Sequence, residues 1–141
     1  MNVRAFHAVH GIHSNVEVVR RLFERFGEGG IEAALDGLDE QLVIEIPGDM
    51  SAEPDTYIGH DGARRYFAGF DGMIEDVRYE PIELIPVGDR VVAHARMGGR
   101  GVSSGLDVEL HAFVVHELAG GKITRMRPYP DMEAARAAAA D

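Results

Sequence analysis

The chain has 141 residues, enough for one hydrophobic core and too few for two independent ones. Its 24 Asp and Glu outnumber 14 Lys and Arg, and a net charge of −10 argues against nucleic-acid and anionic-membrane partners, which reward excess positive charge. There is no cysteine, so no disulfide or thiol nucleophile is available, and no apolar run approaches the length of a membrane span, which makes the cytoplasm the default location.

The first segment, 1–13, contains His7, His10 and His13 and no long apolar core, and reads as a flexible leader, not a signal peptide. On a helix those histidines would fan across about 120°, too broad a spread to converge on one ion. No other His, Asp or Glu cluster has metal-ligand spacing, so no metal site is expected. Ser14-Asn15-Val16-Glu17 has the form of a capping box. Val16, Val19, Leu22, Phe23 and Phe26 follow at helical spacing, and Gly27, Gly29 and Gly30 stop the pattern. Ile31–Leu38 reads as a second, short helix with Ala34, Leu35 and Leu38 inward. Leu42–Ile46 reads as a strand closed by Pro47-Gly48, and Asp49–Thr56 as polar and irregular. Tyr57-Ile58-Gly59 then leads into a third helix capped by His60 or Asp61. Its Ala63, Tyr66, Phe67 and Phe70 fall at i, i+3, i+4 and i+7, the spacing of a buried face.

Strands follow almost without interruption. They are Val77–Val87, Arg90–Gly98, Leu106–Leu118 and Lys122–Tyr129, joined by Gly88-Asp89, the glycine-rich Gly98–Gly105 and the tight turn Gly120-Gly121. Gly98–Gly105 lacks a Gly-Lys-Ser/Thr ending and a following helix, so it is no phosphate loop. Asp131 is placed to cap a final alanine-rich helix. Helices first and antiparallel strands afterwards predict a single α+β domain over 14–141, its curved sheet wrapped around the N-terminal helices. A sheet curled over helices leaves a cavity, and the cavity is the expected site.

The same residues, taken in order, carry a resemblance. The first helix, Leu42–Pro47, Tyr57-x-Gly59-x-x-Gly62-x-x-x-Tyr66-Phe67, Ser104-Gly105, Gly121-Lys122-Ile123 and Tyr129-x-Asp131 resemble the SnoaL-like branch of the nuclear-transport-factor-2-like superfamily, from Ser14 to Ala139. The resemblance implies a cone-shaped α+β barrel with a strongly curved, mostly antiparallel sheet and helices closing its wide end. It also implies a homodimer formed through the outer sheet face. The superfamily includes polyketide cyclases, steroid isomerases, epoxide hydrolases, dehydratases and plain binding modules, so fold does not fix the reaction.

Candidate residues come from strand alternation and from the resemblance. Leu106, Val108, Leu110, Ala112, Val114, His116 and Leu118 share one face, apolar except for His116, which is taken as the cavity side. A lone imidazole there could shuttle protons, and SnoaL-type cyclases resemble this chain in placing a histidine before the Gly-Lys turn. A hydrogen-bonded structural histidine is the bland alternative. Asp131 matches the aspartate after the family's last strand and is a candidate general base, though helix capping competes for it. Glu45 is a buried base if its side of the strand faces the cavity, and an ordinary surface glutamate if not. Arg127 and Tyr129 share a face with Arg125 and could steady an oxyanion, or pair with Glu109 or Glu117 on the next strand. His94 carries the same ambiguity, and Tyr66 and Phe67 are expected to line the pocket. The steroid-isomerase apparatus is a poor match: Ile46 stands where its aspartate would, and only Phe23 and Phe26 occupy the helix that would carry its tyrosine. The leading expectation is a cofactor-independent enzyme that moves protons on a small hydrophobic carbonyl compound through His116 and Asp131. The rival is a non-catalytic small-molecule-binding or dimerisation module.

Overall fold

The structure is a computed structural model that describes residues 3–48 and 55–141, with side chains from Asn15 onward apart from Asp71. Its elements are helix α1 (Val3–Ala34), a 3-10 turn (Leu35–Gly37), strands β1 (Leu38–Ile46) and β2 (Asp55–Ile58), helix α2 (Gly59–Asp71), strands β3 (Ile74–Val87), β4 (Arg90–Gly101), β5 (Asp107–Ala119) and β6 (Lys122–Tyr129), and helix α3 (Met132–Ala140).

The apolar stripe of α1 is buried as its spacing predicts. Val19, Leu22 and Phe23 lie in the core and Phe26 packs against it. The helix does not start at Ser14. It runs from Val3 with no proline to interrupt it, so the Ser14–Glu17 box sits inside α1 and not at its start. The expected leader, 1–13, is thus helical from Val3 on, while the side chains of His7, His10 and His13 lie outside the described residues. The glycine stop does operate. Gly29 (φ −151°, ψ 20°) and Gly30 (φ 71°, ψ −158°) leave helical geometry, and the positive φ at Gly30 is one that glycine adopts without steric cost.

Two expectations change beyond that kink. The second helix predicted over Ile31–Leu38 shrinks to the last turn of α1 and the 3-10 turn, because Asp36-Gly37 interrupts it. Leu38 opens β1 instead, paired with Ile123 of β6, and Leu38 and Leu42 reach the core from a strand. Of the stretch expected to be irregular, 49–54 lie outside the described residues, and Asp55–Thr56 begin the edge strand β2. A strand of four residues with little apolar character has no periodic signal of its own; pairing with β1 creates it.

The sheet runs β2-β1-β6-β5-β4-β3. β3 to β6 form an antiparallel meander, and β1 joins β6 in parallel. Register shifts between Glu75 and Arg78, between Pro81 and Glu83, and between Glu117 and Leu118 insert bulges that bend the strands. Asp76, with φ 54°, sits at the first of them. The result is curled but not closed, so the expected barrel is an open sheet with β2 and β3 as its edges. The helices α1 and α2 fill the concave side, where Phe23, Phe26, Phe67 and Tyr79 form one ring cluster with centroid separations of 4.6 to 5.9 Å. On the convex side α3 lays Ala135 and Ala139 against Val92 and Val115. Alanine lets that helix approach the sheet closely.

Candidate functional site

Between the concave face of the sheet and α2 lies a cavity of about 650 Å³. Strand alternation supplies one wall: Ile44 and Ile46 from β1, Met126 and Pro128 from β6, Leu110, Ala112 and Val114 from β5. Tyr66, Phe67 and Phe70 of α2 supply the other, because i, i+1 and i+4 put them on one side of the helix. Tyr57, Tyr79 and Met97 complete the lining, and the exposed Met73 and Leu110 stand at the mouth.

The polar side chains turned to this lining are phenols. Tyr57 and Tyr66 pack edge to face at 5.4 Å, and Tyr79 packs against Phe23 at 4.6 Å with the rings tilted by 35°. Burial, with the nearby Tyr57, pushes the Tyr66 hydroxyl up to about 12, and burial pushes Tyr79 higher still. Both therefore remain protonated, and each keeps an O–H donor at any physiological pH. His111 also borders the cavity, but alternation turns its ring to the opposite face from Leu110 and Ala112, where it bonds His94 and Glu109. Among the described lining residues there is no carboxylate, arginine or lysine.

The residues expected from sequence separate into groups. Tyr66 and Phe67 line the cavity. His116 lies on the concave face of β5, as alternation requires, but past the end of the hollow. It is completely buried, its Nδ1 lies 3.3 Å from the Val91 carbonyl, and its Nε2 has no partner among the described residues. Burial pushes its pKa down to about 4 despite the backbone hydrogen bonds, so the imidazole is neutral at physiological pH. Of its register partners, Val91 and Met126, only Met126 lines the cavity. The structure thus places His116 in the core, outside the cavity lining. Asp131 stands at the start of α3. Its carboxylate accepts the Ala134 N–H at 2.8 Å as the N-cap of α3, outside the lining.

Glu45, Arg127, Tyr129 and His94 all belong to the convex face. Ile44 and Ile46 point into the cavity, so Glu45 points away, where it pairs with Arg125 and with Arg127 at 3.5 Å. The Arg127 guanidinium lies 5.6 Å from the ring centre of Tyr129. His94 stacks on Phe113 at 4.5 Å. None of these side chains can touch a molecule inside the cavity, since the sheet stands between. Sequence reasoning passed over Tyr57 and Tyr79. Tyr57 belongs to the quoted motif, and Tyr79 alternates with exposed neighbours in β3, yet nothing local says which strand face borders empty space.

Comparison with known proteins places this geometry. The family described as SnoaL-like domain matches residues 19–126. No curated protein matches the chain. Among solved structures, an NTF2-like protein from Burkholderia xenovorans LB400 is 27% identical over 92% of this chain and 98% of that one, with a TM-score of 0.66. An NTF2-like protein of unknown function from Burkholderia pseudomallei K96243 is 23% identical over 86% and 93%, with a TM-score of 0.71. TerC, co-crystallised with polyporic acid, is 24% identical over 91% and 99%, with a TM-score of 0.69. These likenesses concern the fold.

Proposed function

This chain belongs to the SnoaL-like family, and on that premise we propose that its cavity holds a small, uncharged, largely apolar molecule whose carbonyl oxygen accepts from the tyrosine hydroxyls. The observation that carries this reading is the lining itself. Apolar side chains from four strands and α2 surround about 650 Å³, and the polar side chains facing in are the phenols of Tyr57, Tyr66 and Tyr79. Apolar walls with a few fixed polar groups are the usual build of a small-molecule pocket. Donors without a matching cation favour a neutral carbonyl over a carboxylate. TerC, with the same fold, was co-crystallised with a small molecule, polyporic acid, which agrees with such an occupant.

Proton transfer on the same carbonyl compound is the further step suggested by sequence. The phenols could supply its electrophilic half by donating to a developing oxyanion. Among the described lining residues the one base, His111, turns its ring to the other face of the sheet, so binding and carbonyl polarisation are what the geometry supports. The proposal includes a homodimer packed through the convex face, where Arg127 and Tyr129 stay partly exposed, and a cytoplasmic setting, which suits a chain without cysteine. Among the described residues no helix is long and apolar enough to cross a membrane.

A matched pair of probes tests the reading: 1-tetralone and tetralin, alike in shape except for the ketone oxygen. Calorimetry or ligand-observed NMR should show tetralone binding more tightly. Tyr66→Phe or Tyr79→Phe should weaken tetralone by about 5- to 10-fold, one hydrogen bond's worth, and leave tetralin unchanged. Ala112→Phe, which projects a ring into the cavity, should weaken both. Equal affinity for the two probes in every variant would reject the carbonyl contact.

A further inference from the structure

The outer end of β5 carries an apolar row that the helices do not cover. Leu106, Val108 and Leu110 alternate with Asp107, Glu109 and His111, so the apolar side chains share the concave face. Leu106 belongs to this row although it precedes the strand. The Gly101 N–H donates to the Leu106 carbonyl at 2.8 Å, which carries the register one pair past Arg100 and Asp107. Cover along the face is uneven. Leu106 is 68% exposed and Leu110 44%, whereas Val114 is 5% exposed and His116 fully buried. The outer row is apolar surface left in water beside an apolar cavity.

The neighbouring strands make this row a narrow shelf. Among the described residues β6 pairs with β5 no further out than Tyr129 opposite Phe113. On the other side β4 sets Gly99 opposite Val108 and Gly101 opposite Leu106, and neither has a side chain to rise beside the row. Ile74 fills the space over Gly99, where an added Cβ would lie 2.3 Å from its Cγ2, and the Ser104 hydroxyl closes over Gly101. The shelf is one side chain wide and, at about 3.3 Å per residue, about 13 Å long from Leu110 to Leu106. Its inner end is continuous with the cavity, because Leu110 is also part of the lining and stands with Met73 at the mouth. A helix is about 10 Å across with its side chains, too wide for a single row of one strand. An unbranched hydrocarbon chain has the right width.

We propose that the molecule held in the cavity carries an unbranched alkyl chain, which leaves through the mouth and lies along Leu110, Val108 and Leu106. The inference rests on the pocket reading above and adds to it the class of ligand, a carbonyl compound with a lipid-like tail. The tail needs no polar partner, since Asp107 and Glu109 point to the opposite face of the sheet. Each methylene laid on the shelf leaves water on one side only, which strengthens binding by about twofold, against about fourfold for a methylene buried on all sides.

The test compares 1-tetralone with its 6-butyl, 6-hexyl and 6-octyl derivatives, whose chain starts across the ring system from the ketone. Calorimetry on the full chain should show affinity rising with chain length, the octyl compound binding about tenfold more tightly than the butyl one. Leu106→Ser should weaken the octyl compound by about fivefold and leave 1-tetralone unchanged, because Leu106 lies outside the cavity lining. Leu106→Met should restore the octyl affinity. Ile82→Ser, at an exposed apolar residue of β3 away from the shelf, should change neither ligand. No gain with chain length, or a gain that Leu106→Ser leaves intact while 1-tetralone binds, overturns the proposal and spares the pocket reading. Failure of 1-tetralone itself to bind removes both. Sedimentation covers the rival occupant: a dimer that Leu106→Ser turns into a monomer would assign the row to a second copy of the chain and overturn the proposal as well.

Discussion

Replacing His116 with leucine separates a structural histidine from a catalytic one by pH alone. The folded chain holds this imidazole in a dry environment that lowers its pKa from 6.5 to about 4. Above pH 6.5 both folded and unfolded forms are neutral there, and the site is fully compatible with the native state. Below 6.5 the unfolded chain takes up a proton that the folded chain refuses. Stability then falls by about 1.4 kcal/mol per pH unit until the folded pKa is reached. The whole window, from 6.5 to about 4, amounts to about 3 kcal/mol, of which about 2 is lost by pH 5. That is a large share of the 5–15 kcal/mol typical of a domain, and it precedes the titration of most surface carboxylates. Leucine occupies a similar volume, needs no partner for a ring nitrogen, and cannot be protonated. It also gives up the contact to the Val91 carbonyl, a cost that does not vary with pH. Urea unfolding of both proteins between pH 7.5 and 5 should show wild type losing about 2 kcal/mol more than His116→Leu. The variant should bind 1-tetralone as the wild type does. Parallel stability curves over that range would refute the reasoning, because they would mean that the imidazole is not shielded in the fold.

Asp131→Ala should lower stability by about 1 kcal/mol through loss of the α3 cap and leave tetralone affinity unchanged; unaltered unfolding with impaired binding would restore a pocket role for the carboxylate. Gly62→Ala tests the close approach of α2 to β2. A helical glycine with free space beside it ordinarily gains stability from this change, but Gly62 is buried and a Cβ here would lie 2.7 Å from the Tyr57 carbonyl carbon. Thermal denaturation should therefore show a loss of about 1–3 kcal/mol, and a more stable variant would mean that the two elements are not so close.

Much of the concave wall was legible in local spacing. The i, i+3, i+4 pattern through Ala63, Tyr66 and Phe67 placed α2 against the sheet correctly, because a helix with one apolar stripe has one face to bury. Alternation along β5 likewise put Leu110, Ala112 and Val114 on the cavity side. It placed His116 on that face too, and there its power ended. Alternation says which way a side chain points and nothing of whether space or packed atoms lie ahead of it. For Glu45 the ambiguity was complete, since a two-residue period has two faces and only the sheet's curvature makes one of them concave. β2 carried no signal, being an edge strand defined by its partner. The pair His94 and His111 was invisible for a related reason: their meeting depends on the register of two strands, set by turns and bulges far from either residue.

Periodicity and composition by themselves determined an α+β order of elements, the inward stripes of its helices and the residues that share each strand face. The tertiary structure alone decided which face became hollow, how far along β5 the hollow extends, and which distant side chains stand next to one another. Residue spacing expresses local geometry, whereas curvature and register arise from pairing across the whole sheet, and it is those long-range pairings that turn a shared face into a wall, a core or a meeting point for two imidazoles.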